Sequence, residues 1–185
     1  MKKILILFTL LIFIQTSFSQ INLNLDKSKI KWTGKKITNA SHWGSLYFSE
    51  AYLLFEDSDL IEGKFIVDMQ SLTADSIEGR SKERLENHLK DDDFFGVTVH
   101  KEAILEFNSK SQLKNGKYNI NGLLTIKGIT NPISFTLEPG NGNYVANLIF
   151  DRIKFDVTYR SGSLFENLGD RMILDEVELL VTLIE

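Results

Sequence analysis

The chain has 185 residues, 43% of them hydrophobic, no cysteine, and 21 basic against 25 acidic residues, for a net charge of −4. That length suits one domain with a proper core. The acidic balance offers nothing to a polyanion, which argues against nucleic-acid binding, and the absence of Cys excludes disulfides, thiolate nucleophiles and Cys-ligated metals.

Lys2 and Lys3 form a positive start, Ile4 to Ile14 is an apolar stretch broken only by Thr9, and Ser17-Phe18-Ser19 places small residues at the −3 and −1 positions of a cleavage site. This reads as a signal peptide over residues 1–19, removed after Ser19, since a membrane-spanning helix needs about 20 apolar residues. No Cys follows, so a lipid-modified N-terminus is excluded. Residues 20–185 are then expected to form one soluble domain with net charge −6 once Lys2 and Lys3 are gone, exported to the periplasm or secreted.

Strand signals come first, over Lys29–Ile37, Ser45–Phe55 and Gly63–Met69. From Ala74 to Leu89 the pattern changes: Ile77, Leu85 and Leu89 recur at helical spacing, Glu78, Lys82, Glu83 and Glu86 face away, and Asp75 or Ser76 is a candidate N-cap. The predicted helix runs into the acidic turn Asp91–Asp93 and then two adjacent rings, Phe94 and Phe95, which reads as an aromatic hinge held by a polar clamp. A strand follows over Ala103–Leu113. Strict alternation of apolar and polar residues then marks Tyr118–Ile126, Ile133–Leu137, Tyr144–Phe150 and Val177–Leu183 as strands with one apolar face. Asn115-Gly116 is a hairpin signal, and Lys127-Gly128 with Asn131-Pro132, and Gly140 to Asn143, mark further turns.

About eight antiparallel strands and one helix must hide these apolar faces, and a closed barrel does so while removing sheet edges. The predicted class is all-β. An eight-stranded barrel either fills with side chains or holds one small ligand. The 13 Phe, 5 Tyr and 2 Trp suit an aromatic core and an apolar guest equally.

Five segments in order carry a more specific signal: Trp32-Thr33-Gly34, His42-Trp43-Gly44, Gly63 to Leu72, His88-Leu89 with Asp93-Phe94-Phe95, and Tyr118 to Pro132. Together they resemble the signature pattern of the YceI-like family of secreted lipid-binding proteins. Two departures stand out. Val99-His100-Lys101 replaces a frequent Tyr-Pro, and Asp151-Arg152-Ile153-Lys154-Phe155-Asp156 replaces a late Asn-Arg-x-x-Phe-Gly, which puts the backbone near Phe155 in question. The resemblance implies an extended lipocalin-like, eight-stranded antiparallel barrel with one helix between strands and an apolar tunnel. It implies a polyisoprenoid, quinone or fatty-acid-like guest. Some relatives are joined to membrane cytochromes, so transient contact with a membrane or a membrane cytochrome fits this reading, as does a homodimer. The residues expected to contact the guest are Trp32, His42, Phe48, Phe65, Phe94, Phe95, Phe107, Leu124, Ile126, Phe135, Leu148, Phe150, Phe155 and Arg160.

The reactive side chains form no constellation. His42, His88 and His100 lack metal-ligand spacing, and Asp91-Asp92-Asp93 lacks the alternating ligands and distal Glu of a calcium loop. His88 reads as a structural hydrogen-bonding residue at the helix–strand corner, and His42, beside Trp43, as a candidate head-group contact. Asp68, Arg152, Arg160 and Arg171 flank apolar strands and read as structural ion pairs. Arg160-Ser161-Gly162-Ser163 offers the donors a phosphate needs or is simply a loop, and Ser161 and Ser163 lack the Gly-x-Ser-x-Gly elbow of a nucleophile. No catalytic residue, metal or cofactor is expected. A binding protein is the first reading, an enzyme of lipid or isoprenoid metabolism the second, and an occupied barrel that protects under stress without delivering cargo the third.

Overall fold

The structure, a computed structural model, describes residues 15–185; most of the predicted signal peptide lies outside them. Among the described residues the order is β1 (Phe18–Asn22), β2 (Lys29–Lys36), β3 (Ser41–Glu56), β4 (Asp59–Asp68), α1 (Gly79–Lys90), β5 (Glu102–Ser111), β6 (Tyr118–Ile126), β7 (Ile129–Pro139), β8 (Asn143–Asp151) and β9 (Ile173–Ile184). Every pairing between these strands is antiparallel. The sheet runs β3-β2-β9-β8-β7-β6-β5-β4 and closes when β4 pairs back on β3. This is the eight-stranded barrel the alternating pattern predicts. The ninth strand adds no stave: β1 and β2 occupy the same edge of the long β3, with Phe18–Asn22 against Glu56–Tyr52 and Ile30–Lys35 against Leu46–Ser41.

Alternation decides which face turns inward. Tyr118, Ile120, Leu124 and Ile126 of β6, Tyr144, Ala146, Leu148 and Phe150 of β8, and Val177, Val181 and Leu183 of β9 are buried, while their neighbours in sequence face water. The turns follow their residue chemistry. Asn115 and Gly116 have φ of 52° and 76°, and Lys127 and Gly128 have 51° and 74°, the paired positive values of a type I′ hairpin turn. Asn131-Pro132 does not belong to that second turn. β7 starts at Ile129 and carries both residues in register with Leu123 and Leu124.

The helix begins later than its periodicity suggests. Residues 73–76 are occupied by β3: Thr73 N–H donates to Ser45 O at 3.0 Å, and Asp75 N–H and Ser76 N–H both donate to Trp43 O. Neither predicted cap is free. Asp75 Oδ2 accepts from Ser45 Oγ at 2.8 Å and Thr73 Oγ1 at 3.1 Å, and Ser76 Oγ accepts from Trp43 N–H at 3.2 Å. Burial alone would raise the Asp75 carboxyl, but these hydrogen bonds and the Lys82 charge outweigh it and hold its pKa below the ordinary value. α1 therefore starts at Gly79, after Glu78, without a side-chain cap.

The same corner explains a glycine. Trp32 Nε1 donates to Thr73 O at 2.9 Å, and both groups pass directly over Gly44. A Cβ on Gly44 would lie 1.8 Å from Thr73 O and 2.8 Å from Trp32 Nε1. Gly44→Ala must push the 73–76 segment off β3. Its expected cost is roughly 1–3 kcal/mol, read as a lower midpoint in chemical denaturation; an unchanged midpoint would show that this contact is loose.

Candidate functional site: an apolar cavity beneath the helix

The inward faces do not fill the barrel. They leave a cavity of about 300 Å³. Trp32, Phe48, Phe65, Phe107, Leu124, Ile126, Phe135, Leu148 and Phe150 line it from the strands, Phe94 and Phe95 from the turn after α1, and His42 and Arg160 from the rim. Thirteen of the fourteen residues expected from the sequence thus face one space. Phe155 does not. It stands behind Phe150, ring centroids 5.7 Å apart, and packs in the core outside the cavity.

Phe155 is displaced because the chain turns sharply there. Arg152–Phe155 form a short 3-10 turn ending at Asp156, whose φ of 57° and ψ of 32° are left-handed. This is the position where the family pattern carries Gly, and Asp is among the few other residues that tolerate that conformation. Arg152, 1% exposed, anchors the turn. Its guanidinium donates to the carbonyls of Val157 at 2.6 Å, Leu174 at 3.1 Å and Ile173 at 3.1 Å, and Asp175 Oδ1 lies 3.2 Å from Nη2. Burial pulls its pKa down, against the charges of Asp175 and Asp151. The structural ion pair expected for Arg152 is present with Asp175. Asp68 instead caps the Met69–Ser71 turn.

The two ends of the barrel differ. At one end Phe55 packs against Tyr118 and Tyr144, and Tyr118 Oη donates to Ser58 O at 3.2 Å. Burial, with the Glu185 charge behind it, pushes the Tyr144 phenol up to about 12, so its hydroxyl stays protonated. At the other end α1 lies across the opening and turns Leu85 and Leu89 into it. The polar side chains that line the cavity there are Lys35, Lys36, His42, His88, Arg152, Tyr159 and Arg160, with no carboxylate among them. Lys35 is spent on Glu178 and Arg152 on Asp175. Among the described residues Lys36 and Arg160 make no ion pair, and Arg160 stacks 4.9 Å over the Tyr159 ring.

The phenylalanine hinge matches its expected form. Phe94 is buried, Phe95 partly so, and their centroids are 6.0 Å apart. Phe95 N–H and Val97 N–H return to the carbonyls of Leu89 and Lys90, and Asp93 Oδ1 stands 3.4 Å from His88 Nδ1. Tyr159 was not legible in the sequence. It follows a stretch without periodicity, yet its ring lies 5.5 Å from Phe94 and 4.5 Å from His88. Leu46, Val67, Met69 and Leu72 also line the cavity, and alternation along the first strands could have found the first two.

Residues 21–184 match the family model of the YceI-like domain. The chain belongs to the YceI-like family. Among solved structures, BcnA of Burkholderia cenocepacia shares the fold with a TM-score of 0.70 at 20% identity, over 88% of this chain and 99% of that one. A polyisoprenoid-binding domain from Saccharophagus degradans, implicated in plant cell wall breakdown, aligns with a TM-score of 0.59 at 11% identity, over 91% and 97%. The YceI protein of Campylobacter jejuni aligns with a TM-score of 0.52 at 14% identity, over 99% and 91%. At such identities these likenesses carry the fold. No curated protein matches the chain.

The rim makes one electrostatic prediction. Burial, and after it the Lys36 charge, lowers the His42 pKa below 6.5. A depressed imidazole is neutral in the folded protein while the unfolded chain still takes up the proton, so this group costs stability as pH falls through 6.5. Lys36→Met removes the second cause and should move the His42 titration upward in an NMR pH series. A His42 that titrates above 6.5 in the wild type would contradict the arrangement.

Proposed function

We propose that this protein is an exported binding protein that takes the chain of one long apolar amphiphile into the barrel and holds its head group at the end beneath α1. Polyisoprenoids, quinones and fatty-acid-like molecules are the classes that fit. The observation that carries the reading is the pairing of an apolar cavity of about 300 Å³ with a rim of lysine, arginine and imidazole groups. Membership of the YceI-like family supports it, and so does the fold shared with a domain named for polyisoprenoid binding. Transfer of about 0.8 kcal/mol per CH₂ lets roughly ten buried carbons supply the ~8 kcal/mol of micromolar binding.

The reading as an enzyme has less behind it. The polar groups on the cavity wall are cations, imidazoles and one phenol, without a carboxylate or hydroxyl nucleophile beside a base. Export rests on the N-terminal pattern. Removal of residues 1–19 would leave Gln20–Asn22 of β1 to pair with Leu54–Tyr52 of β3. N-terminal sequencing of the protein from its own host should then begin at Gln20, whereas a retained Met1 would overturn the export reading. A carrier of this kind would meet its guest through transient contact with a membrane or a membrane cytochrome.

Leu148 sits mid-strand on β8, 4% exposed, in the cavity wall. Leu148→Trp fills volume without adding charge. The variant should fold and lose affinity for the longest isoprenoids first, while short chains still bind, as measured by titration of prenols of graded length. Full affinity for every length in a folded variant would remove Leu148 from the guest's path.

A further inference from the structure

His88 belongs to α1, and its ring is held edge-on between Phe94, at 5.1 Å and 74°, and Tyr159, at 4.5 Å and 79°. All three side chains line the cavity. The two nitrogens face different surroundings. Nδ1 stands 3.4 Å from Asp93 Oδ1 on the half-exposed outer side. Nε2, across the ring, is buried and has no hydrogen-bond partner. Among the described residues Asp175 Oδ1 is the other buried side-chain polar atom without a hydrogen bond, and the Arg152 charge 3.2 Å away accounts for it. Nε2 has no such compensation. A buried polar atom left unpaired is costly, and native structures seldom keep one without a use.

The Asp93 carboxylate also fixes what Nε2 can do. In the neutral ring it favours the tautomer protonated at Nδ1, which leaves the lone pair on Nε2. A lone pair in an apolar wall needs a donor. A quinone carbonyl, an ether or a bare hydrocarbon supplies none, whereas a prenol or the hydroquinone form of a quinone supplies an O–H. Resting on the reading of the cavity as the seat of an apolar chain, we propose that His88 Nε2 accepts a hydrogen bond from a hydroxyl on the guest's head group, so that the protein selects hydroxyl-bearing isoprenoids over counterparts that can only accept.

The test compares geranylgeraniol with its methyl ether, which share a chain and differ in the donor. Binding to the full protein is followed at pH 8, and the ¹⁵N shift of His88 Nε2 is recorded with each. The wild type should prefer the alcohol roughly tenfold, about 1.4 kcal/mol, and the alcohol alone should move the Nε2 resonance. His88→Phe keeps an aromatic ring and should bind alcohol and ether within about twofold of each other. A wild type that binds both equally with Nε2 unmoved overturns the proposal and leaves the cavity reading standing, as does a His88→Phe variant that keeps the tenfold preference. A wild type that binds neither probe overturns the cavity reading and this proposal with it. Should His88→Phe not fold, the wild-type ratio and the Nε2 shift decide alone.

Discussion

The pairing of β3 with β4 closes the sheet, and the hollow interior depends on that closure. β3 is sixteen residues long and must satisfy two edges. One edge takes β4 and then residues 73–76; the other takes β2 and then β1. With β2 to β9 each paired on both sides the barrel is closed, and its inward side chains leave a cavity rather than filling the interior. The segment that finishes the β3 edge also sets the helix: once Thr73, Asp75 and Ser76 are bonded to β3, the chain can only turn back across the open end of the barrel, where α1 becomes its cover.

The family's motifs acquire physical roles from this corner. Trp32 on β2 reaches Thr73 over Gly44, so the Trp-x-Gly and His-x-Gly signatures are two halves of one close approach. His88, Leu89 and the Phe94–Phe95 pair form the underside of the cover. The late departure at Asp156 is absorbed because Asp adopts the left-handed conformation that ends this turn. The barrel survives that exchange, and Arg152 keeps its carbonyl cradle.

Much of the fold could be read from β6, β8 and β9, whose side chains alternate strictly because one face meets the cavity and the other meets water. The same rule brought Leu124, Phe135 and Leu148 to one wall. Elsewhere tertiary hydrogen bonds override local pattern. Ala74–Ser76 looks helical by period yet belongs to the segment bonded to β3, and Asn131-Pro132 looks like a turn yet lies in β7. β1 straddles the end of the segment whose composition suggests a leader. Phe155 has the composition of a lining residue, but the left-handed residue that follows it turns it behind Phe150. Tyr159 and the orphaned nitrogen of His88 arise from packing between distant segments, which leaves no periodic trace.

Native mass spectrometry of the protein purified from its own host tests the central claim most directly. The account predicts one apolar lipid per chain, released intact on unfolding and identifiable by its mass. A bare chain that also takes up no isoprenoid, quinone or fatty acid on incubation would contradict it, because the barrel would then be an occupied or collapsed core rather than a receptacle.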